Sequence, residues 1–200
     1  MGAIMRYNIK TVKVTDWNSA EAACISNYVW DDSYKPEAYG SLLYIEDRGI
    51  AVRMCCRESA PKTVYQNFYD PVYRDSCLEF FFSVEKNGKY VNCEMNSAGT
   101  SLIAVGESRH NRTRIDEIIA PPAVKTERED CCWSVEIFFS LDDLARIFGE
   151  IKLSAGIILY GNFYKCGDDT EIPHYGMWSP VGTEQPDFHR PEYFGELAIV

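Results

Sequence analysis

The chain has 200 residues, with 20 Lys+Arg against 30 Asp+Glu and a formal net charge of −10. That balance removes the cationic surface that phosphate backbones and anionic lipids require, so nucleic acid and membrane are excluded as expected partners. A hydrophobic content of 46% with 25% charged residues places it among globular proteins, and the length fits one domain spanning residues 1–200.

Residues 1–10, MGAIMRYNIK, lack an apolar stretch followed by a small-residue cleavage site, so the expected location is cytoplasmic. A short helix over 19–27 is one reading of the next segment. Apolar runs bounded by turn residues then recur at 42–45, 50–55, 78–84, 90–95, 102–105, 133–139, 153–163 and 195–200, which is strand spacing. One helix is predicted over 141–148. Ser140 with Asp143 three residues on forms a capping pattern, LDDLARIF carries apolar residues at helical spacing, and Gly149 follows as a stop. The expected fold is therefore mainly β: two packed, mainly antiparallel sheets with one or two short helices.

Asn87-Gly88, between strand-like runs, is a strong hairpin signal. Read as a two-residue turn, it sets Phe82 opposite Cys93, Phe80 opposite Met95, Phe81 opposite Glu94 and Glu79 opposite Asn96. Alternation then gives one core face of Leu78, Phe80, Phe82, Val84, Val91, Cys93 and Met95. The other face carries Glu79, Phe81, Ser83, Tyr90, Asn92, Glu94 and Asn96. A solvated sheet face produces such alternation by itself. Asparagine, however, is depleted in strands, and a local cost with no local gain is characteristic of binding sites.

Residues 161–195 read as a long loop region dense in aromatics and prolines, with Asn162, Lys165, His174 and His189 as donors. Such a loop can simply cover one end of a sandwich. Flat rings beside planar polar groups also suit a sugar, whose C–H faces stack on rings and whose hydroxyls need partners. Trp178 is the leading platform candidate, and Arg109, in the run Arg109-His110-Asn111-Arg112, could offer a planar fork to a hydroxyl or carboxylate.

The eight cysteines include two adjacent pairs, Cys55-Cys56 and Cys131-Cys132, and read as free thiols of a reducing compartment. No CxxC or His-x₃₋₅-His spacing marks a zinc site, and no metal ligands are assigned. Cys166 with His174 or His189 is formally a nucleophile pair, but no oxyanion-hole motif accompanies it. Glu79 and Glu94 fall as diagonal neighbours in the predicted hairpin, weak grounds for a glycosidase. Met54 or Met177 with Lys165 or a histidine could be imagined as haem axial ligands, and Met is more often core filler. No cofactor is expected.

The strings DSCLEFFFS (75–83), YVNCEMNSAG (90–99), GNFYKCGD (161–168), HYGMWSPV (174–181) and PDFHRPEYFGEL (186–197), with Trp133 leading SVEIFFSL, resemble the family 9 carbohydrate-binding modules. More closely they resemble the stand-alone family 9-like proteins within the DOMON-like superfamily. The resemblance implies an immunoglobulin- or jelly-roll-like β-sandwich that binds, without catalysis, a mono- or oligosaccharide end between two aromatic rings. It implies that Glu79 is the family's carboxylate, Tyr73 and Trp178 the two rings, and Tyr90 and Asn92 the polar residues of the next strand, with the family's Arg absent there. Structural calcium occurs in some members, and no ligand string for it stands in this chain. A sandwich that has lost its sugar site and serves as an interaction domain is the alternative, with a haem-binding domain third.

Overall fold

A computed structural model describes residues 4–200. The strands are, in chain order, β1 (Arg6–Val12), β2 (Ala23–Ile25), β3 (Ala38–Ile45), β4 (Gly49–Cys56), β5 (Cys77–Ser83), β6 (Tyr90–Asn96), β7 (Ser101–Ser108), β8 (Asn111–Arg114), β9 (Lys125–Arg128) and β10 (Trp133–Ser140). After these come helix α1 (Leu141–Phe148) and strands β11 (Ile158–Cys166), β12 (Tyr175–Met177) and β13 (Gly195–Ile199). One layer has the order β8-β7-β6-β5-β11-β13-β1, and the other β1-β3-β4-β10-β9. The two are joined by β1, whose Arg6–Ile9 half pairs parallel with β13 while Lys10–Val12 pairs parallel with β3. Every other strand pairing is antiparallel.

Between the layers lies the main core. Phe80, Phe82, Val91, Cys93, Met95 and Phe163 meet Leu42, Tyr44, Val52, Met54, Trp133, Val135 and Ile137 there. Gly40 permits a close approach of the two layers, since a Cβ at this position would lie 2.1 Å from the Phe163 ring. The predicted helix forms as read. Ser140 accepts from the Asp143 amide at 3.1 Å while Asp143 accepts from the Ser140 amide at 3.2 Å, a reciprocal cap that satisfies two otherwise orphan donors.

Three expectations are corrected. Residues 19–27 make no helix: a single 3₁₀ turn, Trp17–Ser19, precedes the short strand β2. The segment from Gly161 is not wholly loop, because its first part completes β11 in the middle of the first layer. In the β5–β6 hairpin, Phe82 faces Val91, Phe80 faces Cys93, Phe81 faces Asn92 and Glu79 faces Glu94, two residues away from the register that a two-residue turn demands. The Ser83 hydroxyl causes this shift by accepting from the Glu85 amide at 3.1 Å and donating to the Lys89 carbonyl at 2.7 Å, which closes a wider loop. Within that loop Asn87 takes φ 57°, and the Gly88 amide returns to Glu85. A shift of two leaves every side chain on its predicted face.

The second face of the β6-β5-β11 ribbon is not open. A separate apolar cluster of Val72, Phe81, Tyr90, Tyr164, Met177, Val181, Phe188 and Phe194 roofs much of it.

Candidate functional site

Where that roof stops, a cleft of about 190 Å³ remains over the β6-β5-β11 ribbon. This is below the roughly 300–1,000 Å³ of sites for drug-sized ligands and fits one small unit. Its floor is Glu79 from β5, Glu94 from β6 and Cys166 from β11; its walls are Tyr73, Leu102, Asp168, Tyr175 and the 186–189 loop; Arg109 and Arg112 close one side.

The two floor carboxyls stand directly opposite one another on adjacent strands, a like-charge pairing that costs stability when both are ionised. Burial and the neighbouring Glu94 push the Glu79 carboxyl well above the usual carboxylate range. Burial likewise raises Glu94, to about 7, against the opposing pull of Arg112 and of the Asn92 amide, which donates to Glu94 Oε1 at 3.0 Å. Glu79 Oε1 receives the Cys166 thiol at 2.8 Å. Glu94 Oε2 and Asn92 Oδ1 are buried without any hydrogen-bond partner among the described residues. An unsatisfied buried acceptor costs about 1–3 kcal/mol, so a hydroxyl arriving from the cleft would recover energy already spent.

On the Arg112 side, the guanidinium lies 3.3 Å from His189 Nε2, which therefore accepts, leaving Nδ1–H to donate to the Tyr90 hydroxyl at 2.9 Å. Burial, with Arg112 and Arg109 alongside, lowers the His189 pKa to about 3, so the ring is neutral and its tautomer fixed. Asp187 ties this rim together through Arg109 at 3.8 Å and Arg190 at 2.8 Å. Burial raises the Asp168 carboxyl, opposed by a hydrogen bond from Tyr175. The Phe188 ring stacks on Tyr164 at 4.0 Å between centroids, which fixes its plane against the wall.

Of the residues singled out in the sequence, Tyr73, Glu79, Glu94, Arg109 and His189 line the cleft. Tyr90 and Asn92 stand behind it, holding His189 and Glu94. The others lie elsewhere. Trp178 is 5% exposed and belongs to the inter-layer core, edge-on to Tyr7 and Phe163, so it is no exposed platform. Asn162 clamps Ser179, donating to its carbonyl at 2.7 Å and accepting from its amide at 2.8 Å. Asn96 donates to Asp75 and to the Tyr65 carbonyl, and it caps the following turn by accepting from the Ala98 and Thr100 amides.

Lys165 and His174 form a second buried polar group away from the cleft. Lys165 Nζ donates to His174 Nε2 at 2.7 Å and pairs with Glu58 at 3.5 Å, and Glu58 also accepts from Trp133 and Ser76. Neither histidine activates Cys166, whose thiol is raised by burial and donates to Glu79. Of the imagined haem ligands, Lys165 is engaged by His174 and Glu58, Met177 Sδ accepts from the Val181 amide at 3.0 Å, and Met54 packs in the main core.

The cleft residues missed in the sequence are Leu102, Arg112, Cys166, Asp168, Tyr175, Pro186, Asp187 and Phe188. Arg112 stood in the short basic run, while Cys166, Asp168 and Phe188 stood inside strings that carried the family resemblance. Nothing local distinguished Tyr175 from the other tyrosines.

Comparison with known proteins agrees with this fold. The family model described as carbohydrate-binding family 9 matches residues 10–199. No curated protein matches. Among solved structures, a provisionally assigned carbohydrate-binding protein from Bacteroides uniformis ATCC 8492 is similar, with a TM-score of 0.83, 27% identity, and coverage of 99% of this chain and 100% of that one. A family 9 module from Caldicellulosiruptor kristjanssonii in complex with cellotriose shares the fold, with a TM-score of 0.70 at 14% identity over 98% of this chain and 93% of its own. The glucose complex of a module from the same organism has a TM-score of 0.70 at 13% identity, over 98% and 96%. With the match running almost from end to end, the chain belongs to carbohydrate-binding family 9.

Proposed function

We propose that the cleft binds one small carbohydrate unit, a monosaccharide or the end of an oligosaccharide, without hydrolysing it. The observation that carries this reading is the buried, unpartnered Glu94 Oε2 in a cleft that Tyr73, Tyr175 and Phe188 also line. A sugar has hydroxyls for the floor and C–H faces for the rings. Arg109 and Arg112 supply donors, and Asp168 and Asp187 supply acceptors, for the hydroxyls at the rim. The glucose and cellotriose held by the Caldicellulosiruptor modules support a gluco-configured ligand.

The placement of the acids supports binding without turnover. Glycosidases place their two carboxyl groups on either side of the scissile bond. Glu79 and Glu94 rise from one floor and approach a ligand from the same side.

Calorimetry against glucose, cellotriose and a wider mono- and disaccharide panel tests the proposal. Saturable binding is expected, weakened by roughly 1–3 kcal/mol in Tyr175→Ala, the loss of one aromatic anchor, with little change in melting temperature. Silence across the panel would leave an interaction domain as the better account. Reproducible glycoside hydrolysis abolished by Glu79→Gln would overturn the non-catalytic reading.

A further inference from the structure

Directly under the cleft, β5 and β11 place Cys77 opposite Cys166. Glu79 follows Cys77 by two positions on β5, so all three side chains leave the ribbon on one face. Their ligand atoms, two sulfurs and a carboxylate oxygen, all lie within 4.8 Å of one another. Each residue is at least 97% buried: Cys77 is 0%, Cys166 2% and Glu79 3% exposed. The carboxylate of Glu94 is the next side chain across the ribbon, with its buried, unpartnered Oε2.

We propose that Cys77, Cys166 and Glu79 form a binding site for a thiophilic divalent cation of the zinc class, with its fourth coordination position facing the cleft. This goes beyond the sugar-binding reading and does not depend on it.

Donor chemistry selects the ion. Two thiolates and one carboxylate match zinc's preferred ligands, whereas calcium takes six to eight oxygens and magnesium six in an octahedron. Zinc–thiolate bonds of about 2.3 Å place two sulfurs of a tetrahedral site about 3.8 Å apart, so the two sulfurs, already within 4.8 Å, need to close by about 1 Å at most, while Glu79 Oε1, now 2.8 Å from Cys166 Sγ, draws back by somewhat less than that. An entry path exists, because Cys166, Glu79 and Glu94 line the cleft while Cys77 backs the site from beneath. On binding, both thiols lose their protons to solvent, as does Glu79 if protonated. Two thiolates, one carboxylate and the dication then sum to one negative charge, facing Arg112 and Arg109. Sequence spacing does not reveal such a site, because Glu79 and Cys166 are 87 positions apart and only strand pairing joins them. A position open toward the cleft would take water or a ligand hydroxyl, as in zinc sites with three protein ligands.

The test uses the full chain, reduced and stripped of metal, with Cys24, Cys55, Cys131 and Cys132 changed to serine to remove the other exposed or half-exposed thiols. Cobalt(II) serves as the spectroscopic probe and zinc(II) as the calorimetric one. One equivalent should bind, with a thiolate-to-cobalt charge-transfer band, and Cys166→Ala should lose the band and at least 100-fold in zinc affinity. Glu79→Gln keeps both thiols and the side-chain shape and should cost at least tenfold, a readout that survives even if a cysteine variant folds poorly. Absence of the band in the parent protein, persistence of it in Cys166→Ala, or zinc affinity unchanged in Glu79→Gln would each overturn the proposal.

Discussion

Tyr175 and Trp178 are three positions apart, and the backbone sends them to opposite sides of the first layer. Tyr175 and Met177 share one face of β12 and look toward the cleft and its roof, while Trp178 turns into the core and its ring packs against Gly195. Composition marked both as aromatics in a loop-rich segment; only the pairing of β12 with β11 separates them. Trp178→Ala should therefore lower unfolding free energy by about 3–5 kcal/mol, as for other buried large-to-small changes. Urea unfolding measures this, and a variant with unchanged stability would show the ring to be outside the core.

His174 gives a second prediction on this scale. Tyr34 packs edge-on against its ring, Lys165 donates to Nε2, Glu58 lies beyond Lys165, and Nδ1 bonds the Ile172 carbonyl at 2.9 Å. Burial, then the Lys165 charge, lowers its pKa to about 4, against about 6.5 in the unfolded chain. Between those values the unfolded state binds more protons, so the contribution is intact above pH 6.5 and is lost as pH falls toward 4. The raised carboxyls of Glu79 and Glu94 act in the opposite sense, losing stability as pH rises, so the effect must be read as a difference between two proteins. The stability of wild type relative to His174→Gln should fall by up to about 3 kcal/mol between pH 7 and pH 4. A difference independent of pH would mean that the histidine is charged or solvated in the folded state.

At the scale of elements, alternation and capping were legible, and coverage was not. Leu78, Phe80 and Phe82 reach the main core, and α1 begins at its Ser140 cap, because period-two alternation and the reciprocal cap are local properties of the chain. The hairpin register depended on a side chain outside the presumed turn, the Ser83 hydroxyl, and the two-residue change turned the two acids from diagonal neighbours into a facing pair. That Asn92 and Asn96 would be fully buried could not be read from β5 and β6 at all. Asn96 is held by Asp75 and the Tyr65 carbonyl, which come from outside the hairpin, and a strand's pattern records which face a side chain takes but not what packs upon that face. The asparagine cost noted in the sequence does have a local return, which is structural at Asn96 and Asn162 and directed at the cleft through Glu94 at Asn92.

For the whole molecule, the cysteines report how the layers and the roof come apart. Cys24 and Cys131 are exposed, Cys55 and Cys132 half-buried, and Cys56, Cys77, Cys93 and Cys166 buried. Cys56 and Cys93 lie in the inter-layer core, whereas Cys77 and Cys166 belong to the second cluster, Cys166 at the cleft floor, so the buried thiols sample two apolar clusters. Burial raises the pKa of all four, to about 12 at Cys56 and Cys77, which suppresses the reactive thiolate in addition to blocking access. Thiol titration of fresh, unreduced protein in denaturant should count close to eight; a count near zero would refute the free-thiol reading. In native buffer, Cys24 and Cys131 should react first and Cys55 and Cys132 next. Cys56 and Cys93 should react only through opening of the sandwich, at a rate limited by the fraction of molecules unfolded. Cys166 lies on the cleft floor and is reached from there, so Cys77, which does not line the cleft, separates the two levels of structure. If the roof lifts as a unit of its own, Cys77 is labelled faster than Cys56 and Cys93; equal rates for these three would show that roof and sandwich open together.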